Sequence, residues 1–366
     1  MLGVVPSPTP VADAVASRLR VFLEIMNEEA VEYGPDAVAM LDAGARTLDG
    51  GKRLRARFCH SGWQAIARHR ERDARETDAL WDLCAAIEIF QSAALVHDDL
   101  IDNSDTRRGR PSGHRALEGA HADAGWSGDA AAFGRSAAIL LGDLLISWSD
   151  DLLEQALAQH PTAPRVRREY ARMRRDVTVG QFLDIAEESA WSVNPIESHL
   201  ERALRVASLK SARYSIEQPL VLGAVFADAD DEQVRALRRF GHPVGMAFQL
   251  RDDVLGVFGD AAVTGKPAGD DLREGKRTAL VALTRQAIAP SARSLFDEML
   301  GDRDLDAEQV SFLQATIASS GALEQVEEMI ADYASAADRA LTGARLDDAA
   351  VNGLRDLARA ATSRSA

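Results

Sequence analysis

The 366-residue chain is poor in aromatic side chains (5%), has only two cysteines, and shows no excess of positive charge: 57 acidic residues against 42 basic ones leave it at −15. Each shortage excludes something. Few aromatics and few β-branched runs, with Ala and Leu abundant, argue for helix rather than sheet. So negative a chain repels a phosphate backbone at long range, and no nucleic-acid partner is expected. Cys59 and Cys84 lack the spacing of metal ligands and read as core thiols in a reducing compartment. The first ten residues have no basic region leading into an apolar stretch, so no secretory leader is read there. No run approaches the roughly 18 uninterrupted apolar residues of a membrane span, and even 137–148 is broken by Gly142-Asp143. The expectation is a cytoplasmic protein without stable membrane insertion, and 46% apolar residues are ample for a core.

Three prolines mark residues 1–10 as a loose tail. Helical periodicity then covers 11–30, 35–48, a stretch ending near 67, 78–102, 136–159, 164–188, 195–224 and 231–258, with shorter helices to 362. The segment 103–135 is too glycine-rich for regular structure throughout, and long loops of this kind are often lids. No repeat, persistent strand alternation or domain boundary is visible. Residues 11–366 are therefore expected to form one all-α domain.

The helix over 78–102 is apolar around most of its circumference, as a buried helix is. It closes on Asp98, Asp99 and Asp102 with no Lys or Arg of its own. Asp98 and Asp102, four apart, share a helix face. Such a pair is costly to desolvate unless a cation joins it, and oxygen ligands favour a hard ion such as Mg²⁺. A lone motif of this kind is more commonly a cap or a solvated turn. Arg107 and Arg108 follow directly, however, and guanidinium groups suit phosphate oxygens. A glycine pair, Gly50-Gly51, opens onto Lys52, Arg53 and Arg55; it lacks the P-loop spacing, so a nucleotide site is disfavoured. A second apolar helix ends in Phe248-Gln249-Leu250-Arg251-Asp252-Asp253 and is followed by Lys266 and by Lys276-Arg277. Its Gly241, Gly245 and Ala247 allow close helix packing. If the two acidic helices face each other, these motifs enclose one trinuclear Mg²⁺–diphosphate site.

In this order, from about residue 15 to 340, the motifs resemble those of the trans-type polyprenyl diphosphate synthases, the family of farnesyl and geranylgeranyl diphosphate synthases. The resemblance implies an isoprenoid-synthase fold, a single large helical bundle around a central cavity, usually as a homodimer. It implies Mg²⁺-dependent transfer of an allylic prenyl group onto isopentenyl diphosphate, with up to three ions. By the same resemblance Asp98, Asp102 and Asp252 would bind metal, with Asp99 and Asp253 beside them. Arg107, Lys210 and Lys266 would grip the allylic diphosphate, with Lys276 assisting. Lys52, Arg55, Gln91 and Arg108 would hold isopentenyl diphosphate. Ser211, Tyr214 and Gln249 match positions near the reacting carbons, and Asp184 is a weaker outer metal contact. One departure stands out: many relatives have a third aspartate where this chain has Gly256.

Product length in the family is set by the residues below the first motif. Ala93 and Ala94 are small, which argues against an early stop at fifteen carbons; Phe90 and Ile87 lie deeper. A helical turn rises about 5 Å, close to one isoprene unit, so a floor at Phe90 suits a twenty-carbon product, with a longer chain as the rival. A class I terpene cyclase would share the first motif, but the second lacks the Asn/Ser/Glu metal triad that cyclase would need. A non-catalytic subunit of a heteromeric synthase usually loses the aspartates. A Mg²⁺-dependent nucleotide pyrophosphatase fits the paired acidic helices and fits the arginine pair less well.

Overall fold

A computed structural model of the chain describes residues 10–67, 74–259 and 269–362; Lys266 and residues 1–9 of the expected tail lie outside them. The described chain is all-α, apart from one hairpin of two-residue strands. Its contacts gather into two compact units, Met1–His60 with Arg70–Ala163, and Ser61–His69 with Pro164–Ala366. No linker composition signals the division, because it passes through an unbroken helix, α3 (Leu54–Ala67), and the first residue of another, α7 (Ala163–Ala190).

The first unit holds α1 (Val11–Glu29), α2 (Pro35–Thr47), the start of α3, α4 (Ala74–Ile101), α5 (Gly113–Asp123) and α6 (Ala130–Leu157). Leu80, Leu83, Cys84, Ala86, Ile87 and Ile89 of α4 are fully buried, and the helix packs on α1 and α6. Gly142 does not break α6. A Cβ there would come within 2.5 Å of the His97 ring, so the glycine lets α4 and α6 approach. Ser149 Oγ donates to the Ala86 carbonyl across the same interface at 2.8 Å. The segment expected to be mostly loop contains α5, whose Leu117 and His121 are buried. Helix α6 also starts six residues early, because the Asp129 carboxylate caps it by accepting from the Ala132 amide at 3.0 Å. By length and composition α4 and α6 could each cross a membrane. Within the protein 72% of the most apolar stretch of α4 is buried, against 28% for α6.

In the second unit α7 is followed by α8 (His199–Val206), a π-helix over Ala207–Glu217, α9 (Gln218–Phe226) and α10 (Asp231–Phe258). Then come α11 (Asp270–Glu274), α12 (Ala279–Ala287), α13 (Pro290–Met299), α14 (Ala307–Ser319), α15 (Ala322–Ala340) and α16 (Asp348–Thr362). The single helix expected over 195–224 is thus interrupted by a wider-wound stretch. Pro219 supplies no amide to the carbonyl four residues back, which frees the preceding turn to rewind. Neighbouring backbones also press on that stretch from two sides. A Cβ at Gly180 would lie 2.7 Å from the Lys210 Cα, and one at Gly245 would lie 2.7 Å from the Ala212 carbonyl carbon. Leu250, Val254 and Val257 of α10 join Leu280, Phe296, Leu313 and Val326 in the core of this unit.

Candidate active site

At the end of α4 the chain leaves the helix through Asn103, which adopts φ +51. It then doubles back in an antiparallel hairpin that pairs Arg107 with Arg110. Arg108 and Gly109 both have positive φ (54 and 73), the conformation of a two-residue turn matched to strand twist. The hairpin carries three arginines back over the helix end. Arg107 Nε donates to Asp99 Oδ1 at 2.9 Å, and its Nη2 also reaches that oxygen and lies 3.8 Å from Asp98 Oδ2. Asp99 is 2% exposed and points about 100° around the helix from Asp98. Grouped with the metal set in the sequence, it is instead occupied by Arg107. Burial pushes the Asp99 carboxyl up, and the guanidinium only partly offsets this. Asp98 and Asp102 remain together on the other face, both half-buried.

The same hairpin meets the glycine-pair loop. Arg108 Nη1 donates to the Asp49 carbonyl at 2.8 Å. Gly51, at φ +87, passes so close that a Cβ would lie 3.0 Å from the Arg108 guanidinium. Lys52 is exposed and Arg55 half-buried. Arg53 between them is 7% exposed and turned inward, donating to the Leu48 carbonyl and lying 3.7 Å from Glu88. Arg53 fastens the loop so that its neighbours face out. A cavity of about 490 Å³ lies here, lined by Arg46, Asp49, Gly50, Asp99, Arg107 and Arg108 among others. Arg46 escaped the sequence reading because it stands alone within α2, outside any cluster of charge.

Along α4, Gln91 and Ala94 lie within about 20° and 40° of Asp98 and are half-buried. Ala93 lies about 140° away with no exposed surface. The two alanines, grouped in the sequence, therefore occupy different environments. Phe90 is about 80° round and 5% exposed, while Ile87, three turns below Asp98 and nearly in line with it, is fully buried.

In the second unit the π-helix carries Lys210, Ser211 and Tyr214. Lys210 Nζ donates to Asp184 Oδ2 of α7 at 2.6 Å, and Tyr214 is buried. On α10, Asp252 is half-buried while Asp253 is 7% exposed and accepts from Gln249 Nε2 at 2.7 Å. Burial, together with the charges of Asp271 and Asp252, pushes Asp253 up to about 8 against the pull of Gln249 and Lys276. Lys276 lies 3.0 Å from Asp271 and 2.8 Å from Glu274. Burial works against its charge, but those two carboxylates outweigh it and hold Lys276 well above the ordinary lysine range.

Among the described residues no three His, Cys, Asp or Glu side chains converge as a ready metal cage. Aspartate oxygens offered in pairs are instead the donor set of an ion that completes its shell with water and substrate phosphate, as Mg²⁺ does. The residues therefore fit that ion.

Comparison with known proteins agrees with this chemistry. A profile of the polyprenyl synthetase family matches residues 39–317. The chain is 29% identical to the short chain isoprenyl diphosphate synthase of Methanocaldococcus jannaschii, over 62% of each protein. It is 36% identical to the geranylgeranyl diphosphate synthase of Mycobacterium tuberculosis, over 58% of this chain and 54% of that protein. The matches thus span between half and two thirds of those relatives. The crystal structure of a Corynebacterium glutamicum geranylgeranyl pyrophosphate synthase, complexed with isoprenyl diphosphate and magnesium, superposes with a TM-score of 0.90 at 37% identity, covering 97% of this chain and 99% of that one. With the family profile covering well over half its length, the chain belongs to the polyprenyl synthetase family.

Proposed function

We propose that the protein transfers an allylic prenyl group onto isopentenyl diphosphate and makes a trans-prenyl diphosphate, with geranylgeranyl diphosphate as its product. The observation that carries this reading is that both aspartate-ended helices have a charged side chain held beside them by a carboxylate. Arg107 is held by Asp99 and Lys276 by Asp271, and Lys210 is held in the same way by Asp184. Cations pre-positioned near paired aspartates are suited to a group that brings its own negative charge and metal ions.

In this reading Asp98, Asp102 and Asp252 hold up to three Mg²⁺, which when bound neutralise charge on the departing diphosphate. Arg107, Lys210 and Lys276, with Lys266, hold the allylic diphosphate as its bond to carbon breaks, and fixed cations favour that charge separation. Lys52, Arg55, Gln91 and Arg108 hold the second substrate so that its double bond attacks the allylic carbon. The released diphosphate takes the final proton. Ser211, Tyr214 and Gln249 face the reacting carbons, and the apolar surface below Asp98 excludes water that would quench the cation.

A twenty-carbon product is supported by the small side chains at 93 and 94 above the larger Phe90 and Ile87, and by the products named for the Mycobacterium and Corynebacterium relatives. A homodimer is supported by α6, whose Ile139 and Leu140 are 50% and 59% exposed. Cytoplasmic localisation is supported by two buried free thiols, Cys59 and Cys84. Magnesium, labelled isopentenyl diphosphate and, separately, five-, ten- and fifteen-carbon primers test the reading. A dominant twenty-carbon alcohol after dephosphorylation is expected. Longer products would keep the chemistry and move the floor deeper, and no incorporation with any primer would overturn the activity.

A further inference from the structure

The two acidic helices carry unequal motifs. The first has carboxylates at 98, 99 and 102; the second has them at 252 and 253, and then Gly256 where the same spacing calls for a third. Residues four apart share a helix face, so Gly256 lies on the Asp252 face and leaves it without the side chain that Asp102 provides beside Asp98. That space is filled. A Cβ built at Gly256 would overlap the Cγ and Oδ2 of Asp271 and come 3.0 Å from its Oδ1. The carboxylate thus stands directly over the glycine.

Three features hold it there. Asp271 sits in the first turn of α11, a five-residue helix bounded by Gly269 and Gly275, both at φ +74. Its backbone carbonyl accepts from the Lys276 amide at 3.0 Å. Its Oδ1 accepts from Lys276 Nζ at 3.0 Å. The absence of a side chain at 256 and the approach of Asp271 are therefore one arrangement, because any side chain at 256 would displace the carboxylate.

We propose that Asp271 supplies the third carboxylate of the second acidic motif, lent from α11 to the face that Gly256 leaves bare, and strengthens Mg²⁺ capture at Asp252. This rests on the proposed metal-dependent function and adds to it a residue from a separate helix, beyond the motif's own two aspartates.

The test measures metal binding rather than turnover: Mn²⁺ in place of Mg²⁺, followed by electron paramagnetic resonance, on the full chain with inorganic diphosphate present. Asp271→Asn keeps the shape and removes the charge, and should weaken binding of the last ion by about tenfold or more, the range for supporting groups at metal sites. Asp271→Ala should do the same. Adding Gly256→Asp to Asp271→Ala restores a carboxylate from α10 itself and should bring affinity back near the wild-type value. Thermal melts establish that each variant is folded. Unchanged Mn²⁺ affinity in Asp271→Asn, or a folded double variant that recovers nothing, overturns the inference while leaving the proposed function standing. A wild-type chain that binds no Mn²⁺ with diphosphate overturns both.

Discussion

The ends of α4 and α10 carry nearly the same letters and solve the same electrostatic problem differently. At the end of α4 the buried middle aspartate, Asp99, is matched by a guanidinium from the hairpin that follows, leaving Asp98 and Asp102 on a separate face. At the end of α10 the buried middle aspartate, Asp253, has an amide partner, Gln249, and a second carboxylate nearby in Asp271. Lys276, whose ammonium also acts on Asp253, is engaged by Asp271 and Glu274. One site matches its buried carboxylate with a cation; the other sets it beside an amide and a second carboxylate, so that it is relieved by a proton below about pH 8 or by a bound cation. Similar motifs therefore need not be equally ready for metal.

The sharpest way to break this comparison is Asp98→Ala. Removing a group that stabilises transition-state charge typically costs about 10²–10³-fold in turnover, and initial rates at saturating Mg²⁺ should fall at least that far. A near-normal rate would remove Asp98 from the metal set. Next comes the Asp99–Arg107 pair. Arg107→Gln strands a buried carboxylate, and because Arg107 is itself 30% exposed the loss should lie toward the low end of the roughly 3–5 kcal/mol seen for fully buried pairs. In urea unfolding, Asp99→Asn combined with Arg107→Gln should be less destabilised than Arg107→Gln alone, and equal losses would mean the pair is not coupled. On the same helix, Ala93→Phe should overpack a closed core at a cost of about 1–3 kcal/mol. Ala94→Phe, on the half-open Asp98 face, should cost less and shorten the product; an unchanged product would place the floor elsewhere.

Much of this was legible in the sequence because it depends on local spacing. The 3.6-residue periodicity located α1, α2, α4, α7 and α10 to within a few residues, and the aspartate pairs and arginine clusters lie side by side in the chain. What escaped was either local chemistry masked by glycines or contacts with distant backbone. The Asp129 cap and α5 were hidden in a stretch whose glycines suggested a loop. The π-helix under Lys210 depends on α7 and α10 pressing at Gly180 and Gly245, which no window around residue 210 contains. The sequence also grouped Ala93 with Ala94 and Asp99 with Asp98, although adjacent residues on a helix point about 100° apart. The occupant of the space over Gly256 came from another helix altogether.

The smallest effect, taken one pH unit at a time, concerns Asp253, and it distinguishes the two helix ends by proton rather than by metal. Its carboxyl is raised to about 8 in the folded chain, against about 3.9 for an unfolded aspartate. The folded state therefore binds the proton more tightly than the unfolded one. That contribution is fully present below about pH 4 and is lost as pH rises through about 8, at up to about 1.4 kcal/mol per pH unit. In metal-free buffer the wild-type melting temperature should fall between pH 5 and 8 relative to that of Asp253→Asn, which has no carboxyl to ionise. Above about pH 9 the two profiles should run parallel, because Asp253 is by then ionised in folded and unfolded chains alike. Profiles already parallel from pH 5 would show that Asp253 is ionised throughout, and that the α10 end discharges its negative charge as fully as the α4 end does.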